Sequence, residues 1–101
     1  MKKMRDVKVG DVIRFPHHQF APFRNGWNGW DFKTGIVKRL YESANGKPCA
    51  ELIYTYMEED VSCKRLVCDL FQFDIDWAKR QKNEFGIDNE EIRFLSKHGK
   101  I

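Results

Sequence analysis

One short stretch of the chain concentrates the side chains best suited to hold a flat, negatively charged partner. Residues 20–32 contain five large aromatic rings and one arginine, namely Phe20, Phe23, Arg24, Trp27, Trp30 and Phe32. Bases of single-stranded nucleic acid stack on such rings while cations meet the phosphates, and each stacked base contributes roughly 1–3 kcal/mol. The same residue types dominate the energetics of protein–protein interfaces. This composition therefore leaves nucleic acid and protein as alternative partners.

The backbone of this stretch is predicted to form a long loop. Asn25-Gly26-Trp27 is followed by Asn28-Gly29-Trp30, and asparagine and glycine tolerate the positive φ angles that interrupt helices and strands. Segments rich in aromatic residues are seldom disordered. We therefore expect an ordered, partly buried loop over 20–32, with at least one of Trp27 and Phe23 exposed. About half of the rings should lie in the core. The alternative to a binding role is that Trp30 and Phe32 fold back and fill the open end of the predicted sheet structure.

Basic residues are concentrated in the same half of the chain. Residues 1–50 carry ten Lys or Arg and four Asp or Glu, whereas residues 51–101 carry eight and eleven. This asymmetry suits an anionic partner at one face, although windows this short also vary by chance. The candidate partner-binding residues outside the aromatic core of the loop are Lys33, Arg14, Lys38 and Arg39. A wider basic set adds Lys2, Lys3, Arg5 and Lys8, for which ordinary solvated surface is the alternative.

Alternating apolar and polar residues predict four or five antiparallel strands within residues 7–73. The predicted strands are a first one ended by Pro16, a second over 33–41, a third over 50–56, a fourth over 62–70 and a short fifth over 71–73. Asn45-Gly46 predicts a hairpin between the second and third strands, and an acidic turn is expected over 58–60. In the fourth strand, Leu66, Cys68 and Leu70 are expected on one face, opposite Arg65, Val67 and Asp69.

The pattern changes to a helical period after residue 73, so that residues 74–101 form a two-helix extension of a single domain. The first helix is predicted over 77–85 with Asp74 or Asp76 as its N-cap and Gly86 beyond its end. Asp88 and Glu91 have capping-box spacing for a second helix that ends near Lys97. A hydrophobic staple is expected between Ile87 and Ile92. The side chains expected to dock this helix on the sheet are Ile92, Phe94 and Leu95.

The order of these elements resembles an SH3-like small barrel. The segments Gly10-Asp11-Val12-Ile13 and Gly35-Ile36-Val37 look like those of KOW, Tudor and PemK/MazF-type barrels, with the aromatic stretch in the position of the RT loop. The resemblance covers residues 7–73 and implies a barrel whose loops and open face bind RNA, DNA, peptides or modified side chains. MazF-type ribonucleases carry Gly-x-Arg-Pro before the second strand, where this chain has Trp30-Asp31-Phe32-Lys33-Thr34-Gly35, so the ribonuclease activity is not carried over.

Other chemistries find little support in the sequence. Cys49, Cys63 and Cys68 are an odd number, which favours free thiols over a disulfide framework. Adjacent His17 and His18 should point apart, and the acidic residues near 58–60 and 69–76 suit turns and helix caps better than a metal site. No nucleophile and base pair stands out. We therefore expect no cofactor and no metal, and a protein that is not an enzyme.

The sequence thus predicts a mainly β, cytoplasmic binding module, since it contains neither an apolar run of membrane-spanning length nor a signal-like start. The first hypothesis for its function is engagement of nucleic acid or a nucleoprotein by the aromatic, basic loop. The alternative is an adaptor or inhibitor that covers another protein's functional surface. A barrel ribonuclease ranks third.

Overall fold

The computed structural model describes residues 6–19 and 30–101, and within them all side chains except those of His18, Gln19 and Trp30. The described residues form a five-stranded antiparallel sheet, in the order β4-β3-β2-β1-β5, and two helices. The elements are β1 Val12–Gln19, β2 Trp30–Glu42, β3 Pro48–Tyr56, β4 Glu59–Leu66, a 3-10 helix Val67–Asp69, β5 Phe71–Gln72, α1 Ile75–Asn83 and α2 Glu90–Lys97. The predicted mainly β fold with two C-terminal helices is confirmed, whereas the sheet is not closed into a barrel.

Strand β2 belongs to two halves of the sheet. Its first half pairs with β1 from Trp30 to Ile36, and its second half pairs with β3 from Gly35 to Glu42. β5 follows β4 in the chain but pairs with β1 at the other side of the sheet. A flat sheet would hold these two edges about 19 Å apart. Four residues cannot span that distance when three of them wind a 3-10 helix that rises about 2 Å per residue, so the sheet must curl.

The curled sheet encloses a core on what we call its inner face. This core consists of Ile13, Phe15, Val37, Ala50, Leu52, Tyr54 and Leu70. Phe15 is fully buried, and its ring lies over Gly35, where an added Cβ would come within 3.1 Å of the ring atom Cε1. The same Cβ would lie 3.1 Å from the carbonyl oxygen of Ile53. Glycine at position 35 is therefore what lets β1 and β2 close on the core.

The two helices pack against the outer face of the sheet. A second buried cluster contains Ile36 from β2, Ala78 from α1, and Ile92, Phe94 and Leu95 from α2. The predicted docking of α2 through its three apolar residues is thus confirmed. Within the part of the chain that the structure describes, neither helix is long and apolar enough to cross a membrane.

The helix boundaries differ from the prediction in two places, since α1 covers Ile75–Asn83 and not 77–85, and α2 has a different N-cap. Asp74 caps α1, as expected, by accepting a 3.0 Å hydrogen bond from the Trp77 amide. Asn89, rather than Asp88, caps α2: its Oδ1 accepts from the Ile92 amide at 2.9 Å. Asp88 instead receives the Arg93 guanidinium at 3.2 Å. The capping box with Glu91 was therefore a wrong prediction, because the helix begins one residue later than that box requires.

The strand boundaries required two further corrections. Pro16 does not end β1 but pairs with Phe32 next to a β-bulge, and beyond Arg14 no residue of β1 pairs with β5. Proline is tolerated where a ladder is interrupted or has an open side. The predicted fourth strand stops at Leu66, and Arg65 lies opposite Ala50 on the inner face rather than away from it. Cys68 is exposed in the 3-10 helix, so the predicted alternation across 66–70 was wrong.

The turn between β3 and β4 is tighter than the acidic turn expected over 58–60. Met57 and Glu58 both adopt positive φ, at 51° and 66°, and Glu59 already belongs to β4. Such a turn normally selects asparagine and glycine. Here the Glu58 amide donates a 2.9 Å hydrogen bond to Oε1 of Glu90, so the start of α2 stabilises this strained turn.

Replacement of Gly35 by alanine is expected to lower the free energy of unfolding by about 1–3 kcal/mol, because the new methyl group overpacks the Phe15 ring. Chemical denaturation measures the change. Gly46→Ala is the comparison variant: its cost comes from the positive φ alone, because nothing lies within 4 Å of the added Cβ, so it should not couple to a change at Phe15. Phe15→Leu should make room, so the two substitutions should couple favourably in a double-mutant cycle. Purely additive costs would contradict this role of Gly35.

Asp60 should contribute a pH-dependent part of the stability. Burial alone raises the pKa of Asp60, but hydrogen bonds from Lys97 and His98, at 3.0 and 2.9 Å, outweigh it and hold the pKa below its ordinary value. A lowered folded pKa adds stability above the unfolded pKa of about 4, and this stability is lost as the pH falls through the folded value. Asp60→Asn should therefore cost about 0.5–1 kcal/mol at pH 7 and nearly nothing in acid. Glu59→Gln, at an exposed neighbour, serves as the control in the pH-dependent melts.

Candidate functional site

Four of the predicted binding residues, Phe20, Phe23, Arg24 and Trp27, lie outside the described residues. The expectation that the loop is ordered, with Trp27 or Phe23 exposed, falls there too. Trp30 does not belong to the loop, since it opens β2 and pairs with Gln19. Asp31 and Phe32 are likewise in β2, because β1 continues past Pro16 and offers them a partner. The half-buried Phe32 ring packs edge-on against Phe71, with centroids 5.7 Å apart, and is not part of the inner core.

Lys38 and Arg39 lie in the second half of β2, on the outer face. Lys38 is the extra residue of a bulge, since Val37 pairs with Leu52 and Arg39 with Glu51. Neighbouring residues of a regular strand would point to opposite faces. The bulge instead brings both cations to one carboxylate: Arg39 Nη2 lies 3.1 Å from Glu51 Oε2, and Lys38 Nζ lies 3.8 Å from Oε1. The hydrogen bond from Arg39 lowers the pKa of Glu51, so this carboxylate stays charged.

A tyrosine ring lies beside these cations. The Arg39 guanidinium is 4.6 Å from the centroid of the Tyr41 ring, and the Lys64 ammonium from β4 is 5.9 Å from it. We call Lys38, Arg39, Tyr41, Glu51 and Lys64 the basic strand surface. It carries three cations against one carboxylate, and all three cations are exposed. The sequence predicted Lys38 and Arg39 but not Tyr41 or Lys64, which only the strand register brings to them.

The other half of β2 carries a different group at the base of residues 20–29. We call His17, Asp31, Lys33, Tyr54 and Tyr56 the loop-base cluster. His17 Nε2 lies 2.9 Å from the Tyr54 hydroxyl, and its Nδ1 lies 3.5 Å from Asp31 Oδ2. Lys33 Nζ is 3.9 Å from Asp31 Oδ2 and 6.0 Å from the centroid of the half-exposed Tyr56 ring. The cluster connects β1, β2 and β3 near the end of β1 and the beginning of β2.

The position of His17 explains this chain of contacts. His17 is the extra residue of the β1 bulge, because Pro16 pairs with Phe32 and His18 with Asp31. Bulges re-aim side chains, and here the imidazole turns towards Phe15 and Tyr54. Burial is the main cause that raises the pKa of Tyr54, with Cys63 adding to it. Tyr54 is thus a neutral phenol at physiological pH, suited to hydrogen bonding.

Arg14 and Lys33 are also brought together, but not with Lys38 and Arg39. Both line a cavity between the outer face of the sheet and the start of α2. Arg14 is half-buried, and its Nε is buried without a hydrogen-bond partner among the described residues. Lys38 follows Lys33 by five positions of β2, roughly 17 Å along a straight strand. The predicted cations therefore form two separate groups.

The acidic residues considered for a metal site have other contacts. Glu58 pairs with Arg93, Asp60 pairs with Lys97 and His98, and Asp74 caps α1. Across residues 6–19 and 30–101, no three His, Cys, Asp or Glu side chains form a group that could hold a metal ion. Cys49 is buried, Cys63 is half-buried and Cys68 is exposed, and all three are free thiols.

No family model matches the chain, and neither a curated protein nor a solved structure matches it.

The hydrogen bonds of Arg65 to β1 can be tested for their contribution to stability. It crosses the inner face from β4 to β1, where Nε donates to the Pro16 carbonyl at 3.2 Å and Nη2 to the His17 carbonyl at 3.1 Å. Arg65→Met should lower the free energy of unfolding by about 2–3 kcal/mol, since both carbonyls lose a charged donor. Arg65→Lys should recover less than half, because one ammonium cannot reproduce the fork.

Urea unfolding of these variants provides the measurement. Lys64→Met is the matched control, because Lys64 is the exposed neighbour on the same strand and should change stability by less than about 0.5 kcal/mol. Equal effects of Arg65→Met and Lys64→Met would show that the crossing does not hold β1.

Proposed function

We propose that this protein is a non-enzymatic module that binds single-stranded nucleic acid, alone or within a nucleoprotein. The basic strand surface is the observation that carries the proposal. Two cations lie within 6 Å of the centroid of its Tyr41 ring, and the net charge of the surface is positive because Glu51 offsets one of three cations. Phosphates of a single strand gain from such cations, and bases stack on an aromatic ring beside them. The aromatic loop would extend this contact from the other half of β2.

We further propose that the fold is an SH3-like small barrel. The support is the order of its elements: a strand pair joined by a long connection, two hairpins, and a 3-10 helix that leads to a short strand paired with β1. Arg65 adds side-chain hydrogen bonds from the edge strand β4 to β1, the neighbour of the other edge strand β5, and so draws the two sides of the sheet together. Three free thiols suit a reducing compartment such as the cytoplasm.

A protein partner is the second candidate, because large apolar side chains are exposed around the helices. Trp77, Phe85 and Ile87 have exposed fractions of 41%, 65% and 39%. Exposed apolar groups of this kind are common at protein interfaces. They lie on α1 and the segment that follows it, so that a protein partner and a nucleic acid would use different surfaces.

The proposed function is tested by the salt dependence of oligonucleotide binding. Arg39→Met and Lys64→Met should each weaken binding and reduce the slope of log K against log salt by about 0.7, the value of one single-strand phosphate contact. Fluorescence anisotropy at several salt concentrations measures this slope. Arg80→Met is the control, since Arg80 is exposed on α1.

The same assay tests whether the aromatic loop contacts the oligonucleotide. Trp27→Ala should remove a stacking contribution of roughly 1–3 kcal/mol, and Arg24→Ala should flatten the salt dependence by one further phosphate contact. If none of these variants alters binding while Phe85→Ser abolishes capture of a protein partner, the second candidate replaces the first.

A further inference from the structure

A cavity of about 240 Å³ lies between the outer face of the sheet and the first turn of α2. Its walls include two phenylalanines, two cations and two carboxylates, namely Phe32, Phe94, Arg14, Lys33, Glu90 and Glu91. Pockets for drug-sized ligands start at about 300 Å³. The cavity therefore has room for one planar ring system, with any attached sugar and phosphate outside it.

Arg14 is the unexplained group of this cavity. Its Nε is buried and has no hydrogen-bond partner in the described part of the chain. A buried polar group without a partner is costly, and in native proteins it calls for a specific explanation. No hydrogen bond joins this Nε to the nearby carboxylates, whose Oε1 atoms accept from the Thr34 and Thr55 hydroxyls. Arg14 lines the cavity, so a ligand with acceptor atoms would meet the outer edge of its guanidinium.

The charges of the walls select the kind of ligand. Arg14 faces two carboxylates, Glu90 and Glu91, and the second cation of the walls, Lys33, also pairs with Asp31, so an anion entering the cavity gains no net attraction. The hydrogen bonds of Glu90 to the Glu58 amide and to Thr55 lower its pKa and keep it ionised. In each glutamate the second oxygen, Oε2, is not used in the bonds to threonine. The cavity therefore suits a neutral, planar group that has acceptors on one edge and N–H donors on another.

We propose that this cavity binds a guanine base, an inference that rests on the proposed single-strand binding and names its base preference. Guanine offers O6 and N7 as paired acceptors, for which a bidentate arginine is the commonest protein partner. Its N1–H and N2–H groups are donors for a carboxylate on the opposite wall. Bases splayed out of a single strand are commonly held against aromatic side chains, which Phe32 and Phe94 provide. Adenine, cytosine and thymine each lack either the paired acceptors or the paired donors.

The test uses four single-stranded oligothymidylates that differ only in one central base, and fluorescence anisotropy measures the affinity of the protein for each. Free guanosine monophosphate is a fifth probe. The wild-type protein should bind the strand with central guanine at least roughly fivefold more tightly than the other three. Arg14→Lys keeps the charge but loses the fork, so it should abolish this preference and leave the other three affinities unchanged. Arg14→Met should also abolish it without lowering the melting temperature, because it removes the unpartnered Nε.

The outcomes separate this inference from the function on which it rests. Arg39→Met is the control and should weaken all four strands alike while the preference for guanine persists. Equal affinities for the four strands in the wild-type protein overturn the guanine pocket but leave single-strand binding standing. Binding of guanosine monophosphate that depends on Arg14, with no strand bound, supports the pocket and overturns the nucleic-acid function. No binding of any probe overturns both, and a large loss of stability in Arg14→Met shows that Arg14 is structural.

Discussion

The packing of the Phe15 ring on the backbone of Gly35 is the contact on which the rest of the structure depends. It allows β1 to lie close over β2 at the place where β2 passes from one half of the sheet to the other. Any larger residue at position 35 would separate the two strands or displace the ring. Two residues beyond Phe15, the bulge at His17 then places an imidazole between Tyr54 and Asp31. The Arg65 guanidinium lies 5.4 Å from the centroid of the Phe15 ring, and its hydrogen bond to the His17 carbonyl holds the bulge from strand β4.

The two bulges of the sheet give the protein two chemically different ends. The bulge at Lys38 gathers cations around a tyrosine on an open strand surface, which suits a phosphate backbone. The bulge at His17 builds a hydrogen-bonded group of side chains where β1 ends and β2 begins. Beside it, the start of α2 adds carboxylates and a phenylalanine to the outer face, opposite an arginine of β1. The exposed cations and the cavity of mixed polarity thus lie in separate parts of the sheet.

Much of this fold follows from local sequence patterns. Asn45-Gly46, the alternation through Leu52 and Tyr54, and the Asp74 cap each act over a few residues, and each is found as expected. The apolar face of α2 docks as its spacing indicates. Local patterns are therefore sufficient to predict the parts of the fold that depend on contacts between near neighbours in the sequence.

The features that the sequence did not predict depend on residues far apart in the chain. Pro16 remains in β1 because Phe32 pairs with it and Arg65 binds its carbonyl. The bulge at Lys38 moves Arg39 to the outer face, so the contact of Arg39 with Glu51 could not be derived from an unbroken period of two. A strand that continues through Pro16 places His17 on the face of Phe15, and that signal was available in the sequence. The cavity at Arg14 requires the docked helix and has no signature in the sequence.

If the basic strand surface contacts a single strand, a short single-stranded oligonucleotide titrated into the isotopically labelled protein should shift the amide resonances of that surface. The largest chemical-shift changes should map to Lys38, Arg39, Tyr41 and Lys64, with a second group at Arg14 and Lys33, while the amides of α1 stay unchanged. Changes confined to Trp77, Phe85 and Ile87, or no changes at all, would contradict it.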